Sequence, residues 1–116
     1  MSLRIASAAA FLILAIGCSS SPTSPMVTGT PVSIVSGSST LTTTAYSPNP
    51  VAIAVGGTVT WTNNDNTAHT STSDNGAWNS GNIAPGGSFS MTFTTAGSFT
   101  YHCTIHPGMI GTVTVH

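Results

Sequence analysis

The sequence predicts an all-β domain, a Greek-key β-sandwich or barrel of about eight strands. Short runs of Thr, Val, Ile and aromatic residues recur at even spacing from Pro31 onward, each closed by Gly, Pro or Asn. No window sustains a helical period. The runs are Val32–Ser36, Leu41–Tyr46, Val51–Val55, Thr58–Asn63, Thr67–Thr72, Ser88–Thr94, Ser98–Cys103 and Gly111–Val115.

Alternation assigns faces within the clearest runs, because successive side chains of a strand point to opposite sides. In Thr58–Asn63, Val59 and Trp61 should point inward and the threonines toward solvent. In Ser88–Thr94 the inward set is Phe89, Met91 and Phe93. In Ser98–Cys103 it is Phe99, Tyr101 and Cys103, which brings the cysteine out on the core side and turns His102 away from it.

The N-terminus reads as an export signal over residues 1–17. Arg4 supplies the positive region, Ile5 to Ile16 the apolar run, and Gly17 leads into Cys18. The apolar run is short for a bilayer span. A small residue directly before Cys resembles the bacterial lipobox, with Ala15 where Leu is more usual, so Cys18 is expected to carry lipid. An ordinary signal peptide cleaved near Cys18 stays open as the alternative. Ser19 carries no inner-membrane retention signal of the Asp type, which points to the outer membrane or cell surface. Residues 18–30 are rich in Ser, Pro and Thr and read as a flexible tether, spanning on the order of 20 Å. Residues 31–116 then form one small domain.

The sequence holds a single basic residue, Arg4, which leaves with the signal, and two acids, Asp65 and Asp74. A domain without Lys or Arg cannot neutralise phosphates, so nucleic acid is excluded as a partner. Solubility must rest on the many Ser and Thr hydroxyls. Long-range electrostatic steering of a partner should be feeble, so docking should depend on apolar contact.

With Cys18 lipidated, Cys103 has no disulfide partner. A lone thiol in an oxidising compartment is buried, reactive or held by a metal. The surrounding sequence, Cys103-Thr104-Ile105-His106-Pro107-Gly108-Met109, places a thiolate, an imidazole and a thioether at equal spacing in a Gly/Pro loop. His69 stands upstream, after the turn Asn63-Asn64-Asp65-Asn66. Thiolate, two imidazoles and a long thioether are the donor set of a mononuclear blue-copper site, whose natural chemistry is one-electron transfer between Cu(II) and Cu(I). Each residue alone has an ordinary alternative: a buried Cys, a solvated loop His, a core Met. Their joint spacing makes His69, Cys103, His106 and Met109 the candidate ligands of one copper ion per chain. Zinc fits less well, since a thioether adds little to Zn(II) and no fourth strong ligand is present. His102 reads as an exposed strand histidine, because no further His cluster accompanies it to complete a second metal centre.

The segment from about Pro31 to Val115 resembles a cupredoxin of the plastocyanin/amicyanin group. The resemblance rests on Pro48-Asn49-Pro50, Val55 to Asn63, Ala68-His69-Thr70, Gly81 to Phe89, and Phe99 to Cys103 leading into a C-x-x-H-x-x-M loop of the short, amicyanin-like length. It implies a cupredoxin-like fold and an electron port at the exposed edge of His106, in a patch with Ala68, Pro85 and Pro107. It implies a redox partner such as a c-type cytochrome or dehydrogenase, a monomeric carrier and no enzymatic activity. A copper carrier or buffer without obligatory electron transfer uses the same ligands and stays open. So does an enzymatic relative whose shared site would need His102. Two positions depart from the family pattern. Thr70 stands where Asn often ties the two ligand loops, so that tie should be weaker or made by a hydroxyl. Gly108 replaces larger residues near His106. The expected setting is periplasmic or at the cell surface, with the N-terminal lipid in the outer membrane.

Overall fold

β-Branched and aromatic residues that alternate with hydroxyl residues suit a pleated surface with one dry face, and the strands form where the sequence supplies them. The computed structural model describes residues 29–116. The expected signal, Cys18 and the tether as far as residue 28 lie outside the described residues. The strands are β1 (Thr30–Ile34), β2 (Tyr46–Ser47), β3 (Val51–Ile53), β4 (Thr58–Asn63), β5 (Thr72–Ser73), β6 (Ser88–Thr92), β7 (Gly97–His102) and β8 (Ile110–Val115). One sheet has the order β2-β1-β4-β6 and the other β3-β8-β7-β5. β1 runs parallel to β4 and β3 parallel to β8, while the other pairs are antiparallel. From β2 to β7 the chain passes back and forth between the sheets, the connectivity of a Greek-key sandwich.

Two of the expected strands shrink to two residues each, and Val51–Val55 and Ser88–Thr94 end early, at Ile53 and Thr92. In Leu41–Tyr46 only Tyr46 enters a strand, and Leu41–Ala45 turns instead, with Leu41 N–H on the Ser38 carbonyl (2.9 Å) and Ala45 N–H on the Thr42 carbonyl (3.3 Å). Thr42, Thr43 and Thr44 are all exposed, so that run has no alternating buried face to hold it on a sheet. In Thr67–Thr72 only Thr72 is in a strand. His69, Thr70 and Ser71 are buried in succession without the alternation expected of a strand with one dry face, and none of them pairs in a ladder of either sheet. Instead His69 exchanges backbone hydrogen bonds with Ile83 (3.2 and 2.7 Å). β1 also starts earlier than expected, at Thr30, paired with Val59.

Between the sheets lies an aromatic core, and the faces read from alternation hold within it. Trp61 and Tyr101 are fully buried and meet edge to face, with ring centroids 5.3 Å apart. Trp61 sits in register with Phe89 and stacks on Trp78. Phe93 is buried, and Phe89, Met91 and Phe99 are partly buried against the same core. On the other face of β4, Thr58 pairs with Thr92 (2.8 Å) and Thr60 with Ser90 (2.7 Å) through their hydroxyls. Such cross-strand hydroxyl pairs do on this surface what charge pairs do on others. Thr60, expected in solvent, is buried all the same, on a strand flanked on both sides by β1 and β6.

Gly111 is the tightest backbone approach in the core. A Cβ there would stand 2.5 Å from Cζ and Oη of Tyr101, so only glycine lets β8 pass over the phenol ring. Beyond this point the β7–β8 hairpin opens, after the pair His102 and Ile110, into the loop that carries Cys103, His106 and Met109.

Candidate metal centre

Three of the four candidate ligands converge. One ligand atom from each of His69, Cys103 and His106 lies within 4.8 Å of the others. Cys103 Sγ is 3.7 Å from His69 Nδ1 and 3.9 Å from His106 Nδ1. Among the described residues no other group of three or more His, Cys, Asp or Glu side chains comes together this way. Cys103 and His69 are fully buried, and His106 is half-buried at the surface.

The loop geometry follows from the hairpin. Cys103 N–H donates to the Met109 carbonyl (3.1 Å), and Met109 N–H donates to the His106 carbonyl (2.9 Å). These bonds fold the heptapeptide back on itself, bringing His106 over Cys103 without a helix. Met109 is fully buried at the end of the loop, and the loop's own backbone bonds hold it next to both residues in the chain.

A second set of bonds joins this loop to the one bearing His69. Thr70 N–H donates to Cys103 Sγ (3.3 Å), and Thr104 N–H donates to the Thr70 hydroxyl (2.9 Å). The Thr70 and Thr104 hydroxyls also lie 3.3 Å apart. The tie expected at this position is therefore made by a hydroxyl. Tyr46 braces the same segment by donating to the Thr70 carbonyl (2.7 Å). Burial, then the nearby Cys103 and Tyr101, push the Tyr46 phenol above its ordinary range, so it stays a neutral donor.

The other nitrogen of His69 is engaged from behind. Its Nε2 is 2.7 Å from Asp65 Oδ2 and 3.1 Å from the Ser38 hydroxyl. Asp65 also accepts from Gly37 N–H (3.0 Å), and its own N–H donates to Asn63 Oδ1 (2.9 Å). Asn63, buried, donates to the carbonyls of Thr67 (2.8 Å) and Ile83 (2.9 Å) and so shapes the whole turn. The hydrogen bond with His69, then those from backbone N–H groups, hold the Asp65 carboxyl well below the usual carboxylate range. Ser38, His69 and Asp65 look superficially like a hydrolytic triad. Serine and aspartate meet the same imidazole nitrogen, however, whereas a triad needs one on each.

His102 points away from Cys103. Its half-exposed side chain sits with Nδ1 2.6 Å from Asp74 Oδ1, outside the converged group. The sequence reading left Asp65, Ser38 and Asn63 without a role. A signal for Asp65 existed: it is one of two acids in the chain and stands four residues before the buried His69. Ser38 carried none, because its place beside His69 depends on how β1 and β4 pair.

The donor set fits copper on its chemistry. A buried thiolate that accepts a backbone hydrogen bond and two imidazoles presented through Nδ1 are soft-to-intermediate donors suited to Cu(I) and Cu(II) alike. Residues 33–116 match the family described as copper binding proteins, plastocyanin/azurin family. The chain is 39% identical over 83 residues to the plastocyanin of Scenedesmus fuscus, an alignment covering 60% of this chain and 85% of that protein. Among solved structures it is similar to a purple cupredoxin from Nitrosopumilus maritimus, with a TM-score of 0.69 and 36% identity over 75% of this chain and 99% of that one. It is also similar to a Cu(I) form of an amicyanin mutant, with a TM-score of 0.64 and 29% identity over 76% of this chain and 82% of that one. The chain belongs to the plastocyanin/azurin family of copper-binding proteins.

Proposed function

We propose that the protein is a one-electron carrier rather than an enzyme, and that His69, Cys103 and His106 would hold one copper ion, with the Met109 thioether as its weakest donor. The observation that carries this reading is the approach of Cys103 Sγ to Nδ1 of both His69 and His106, at the end of a rigid sandwich. Bound there, copper supplies the Cu(II)/Cu(I) couple. The chain does the rest. Two loops tied through Thr70 and Thr104 resist rearrangement when the charge of the site changes, and small reorganisation favours fast electron exchange. The fully buried Cys103 keeps its sulfur from water and oxidation.

His106 is the port. Its ring is half-buried and its chain neighbours Ile105 and Pro107 are exposed, and by resemblance to the family the exposed Pro85 and half-exposed Ala68 belong to the same patch. We infer an exported protein, tethered by lipid on Cys18 on the periplasmic or cell-surface side, monomeric, and exchanging electrons with a c-type cytochrome or dehydrogenase through that apolar patch. The test is a visible spectrum of the copper-loaded protein, oxidised and then reduced. An intense blue or violet thiolate-to-copper band that bleaches reversibly, and that Cys103→Ser abolishes, is the expected result. A colourless copper complex would remove the reading. Loss of the ion on each reduction would instead favour copper delivery or buffering.

A further inference from the structure

We propose that Asp65, with Ser38 beside it, is a positioning residue of this centre: it fixes His69 in the tautomer that binds metal through Nδ1 and tilts the bound copper toward Cu(II). The proposal rests on the copper reading above and goes beyond it. A carboxylate only accepts hydrogen bonds, so the 2.7 Å contact with His69 requires the proton on Nε2. Nδ1 is then left with its lone pair, 3.7 Å from the sulfur it would share a metal with.

The carboxylate is itself held in place. Gly37 N–H (3.0 Å) binds Oδ1, the Ser38 hydroxyl (3.4 Å) reaches Oδ2, and Asn63 anchors the Asp65 backbone. Both Asp65 and Ser38 are buried, so this acceptor cannot be exchanged freely for water. A carboxylate behind a metal-bound imidazole makes it a stronger donor, which favours the higher oxidation state. Its charge acts in the same direction, because an arriving electron meets it. Arg4 is the sole Lys or Arg in the sequence, so the domain has no Lys or Arg to offset that charge.

The experiment compares the wild-type protein with Asp65→Asn and Asp65→Glu by three measurements: redox titration, Cu(II) affinity by competition with a chelator, and nitrogen NMR of His69 without metal. Asp65→Asn should move the Cu(II)/Cu(I) equilibrium about tenfold toward Cu(I), about 59 mV for a one-electron couple. It should also weaken Cu(II) binding by about 10- to 100-fold. In the metal-free protein the single Nε2-protonated form of His69 should give way to a mixture. Asp65→Glu, which keeps the charge, should lie nearer to wild type in potential. A folded, coloured Asp65→Asn protein with unchanged potential and tautomer would overturn the proposal and leave the copper reading standing. A wild-type protein that never develops the band would overturn the copper reading, while its His69 tautomer would still report on Asp65. Should Asp65→Asn not fold, the wild-type spectrum decides: His69 protonated on Nδ1 sinks the idea.

Discussion

His69 and His106 present the same atom to the same sulfur, yet they are built in opposite ways. His69 is fully buried, bonded through its backbone to Ile83 and held at Nε2 by Asp65 and Ser38. His106 rides a Gly/Pro loop and is half-buried, and its chain neighbours Ile105 and Pro107 are exposed. Their rings stand 4.9 Å apart. A centre that must hold a metal and also pass electrons to a partner needs one side fixed and one side reachable. On the proposed reading, those tasks fall separately to the two imidazoles.

The largest effect that would break this comparison is the loss of either ring. His69→Gly takes the imidazole from the buried Asp65, which keeps only Gly37 N–H and the Ser38 hydroxyl on its carboxylate, and loss of that buried hydrogen bond should lower the stability of the metal-free protein by about 1–3 kcal/mol. His106→Gly should change that stability far less, and external imidazole should restore its coloured copper complex. Imidazole should not rescue His69→Gly, whose cavity is closed to solvent. Denaturant melts and imidazole titrations of the two variants check this, and equal rescue would erase the distinction.

Two glycines near the loop sharpen the comparison at a smaller scale. Gly111→Ala drives a Cβ to 2.5 Å from the Tyr101 ring in the closed body of the sandwich. It should cost about 1–3 kcal/mol, read from the denaturation midpoint. Gly108, beside His106, has nothing within 4 Å of where its Cβ would stand. Gly108→Ala should therefore stay within about 0.5 kcal/mol of wild type. A larger apolar residue there would extend the patch around His106 without touching the fold.

The smallest expected effect lies on the surface, away from both imidazoles. Hydrogen bonding to Thr100, then to His102, holds the Asp74 carboxyl below its ordinary value. A depressed carboxyl stabilises the fold above its unfolded pKa of about 3.9, and that stability is lost as pH falls through the lower folded value. With Asp74 48% exposed, solvent screening keeps the contribution below about 1 kcal/mol. Asp74→Asn should accordingly flatten the acid limb of the stability profile only slightly. A large change there would mean that the Asp74–His102 pair does more than decorate β7.

Much of the site was legible because its chemistry is local. Cys103, His106 and Met109 sit on one short loop, so their spacing pointed to a single ion, and strand parity placed Cys103 on the dry side. Thr70 was legible in part: its departure from the family pattern suggested a hydroxyl tie, and the structure supplies it through Thr104. Leu41–Ala45 and Thr67–Ser71 were misread as strands for one reason. Both are rich in Thr, which favours extended backbone anywhere, while membership of a sheet depends on which neighbours are free to pair.

The sequence by itself therefore determined the sandwich, its inward aromatic faces and the kind of metal its loop could hold, since alternation and ligand spacing are properties of the chain alone. Only the tertiary structure decided how His69 is held. Ser38 and Asp65 lie far apart in the chain, and they meet at one imidazole nitrogen because β1 runs parallel to β4 and lays the Gly37–Ser38 turn against the Asp65 turn. That contact is a consequence of strand pairing, and no spacing in the sequence encodes it.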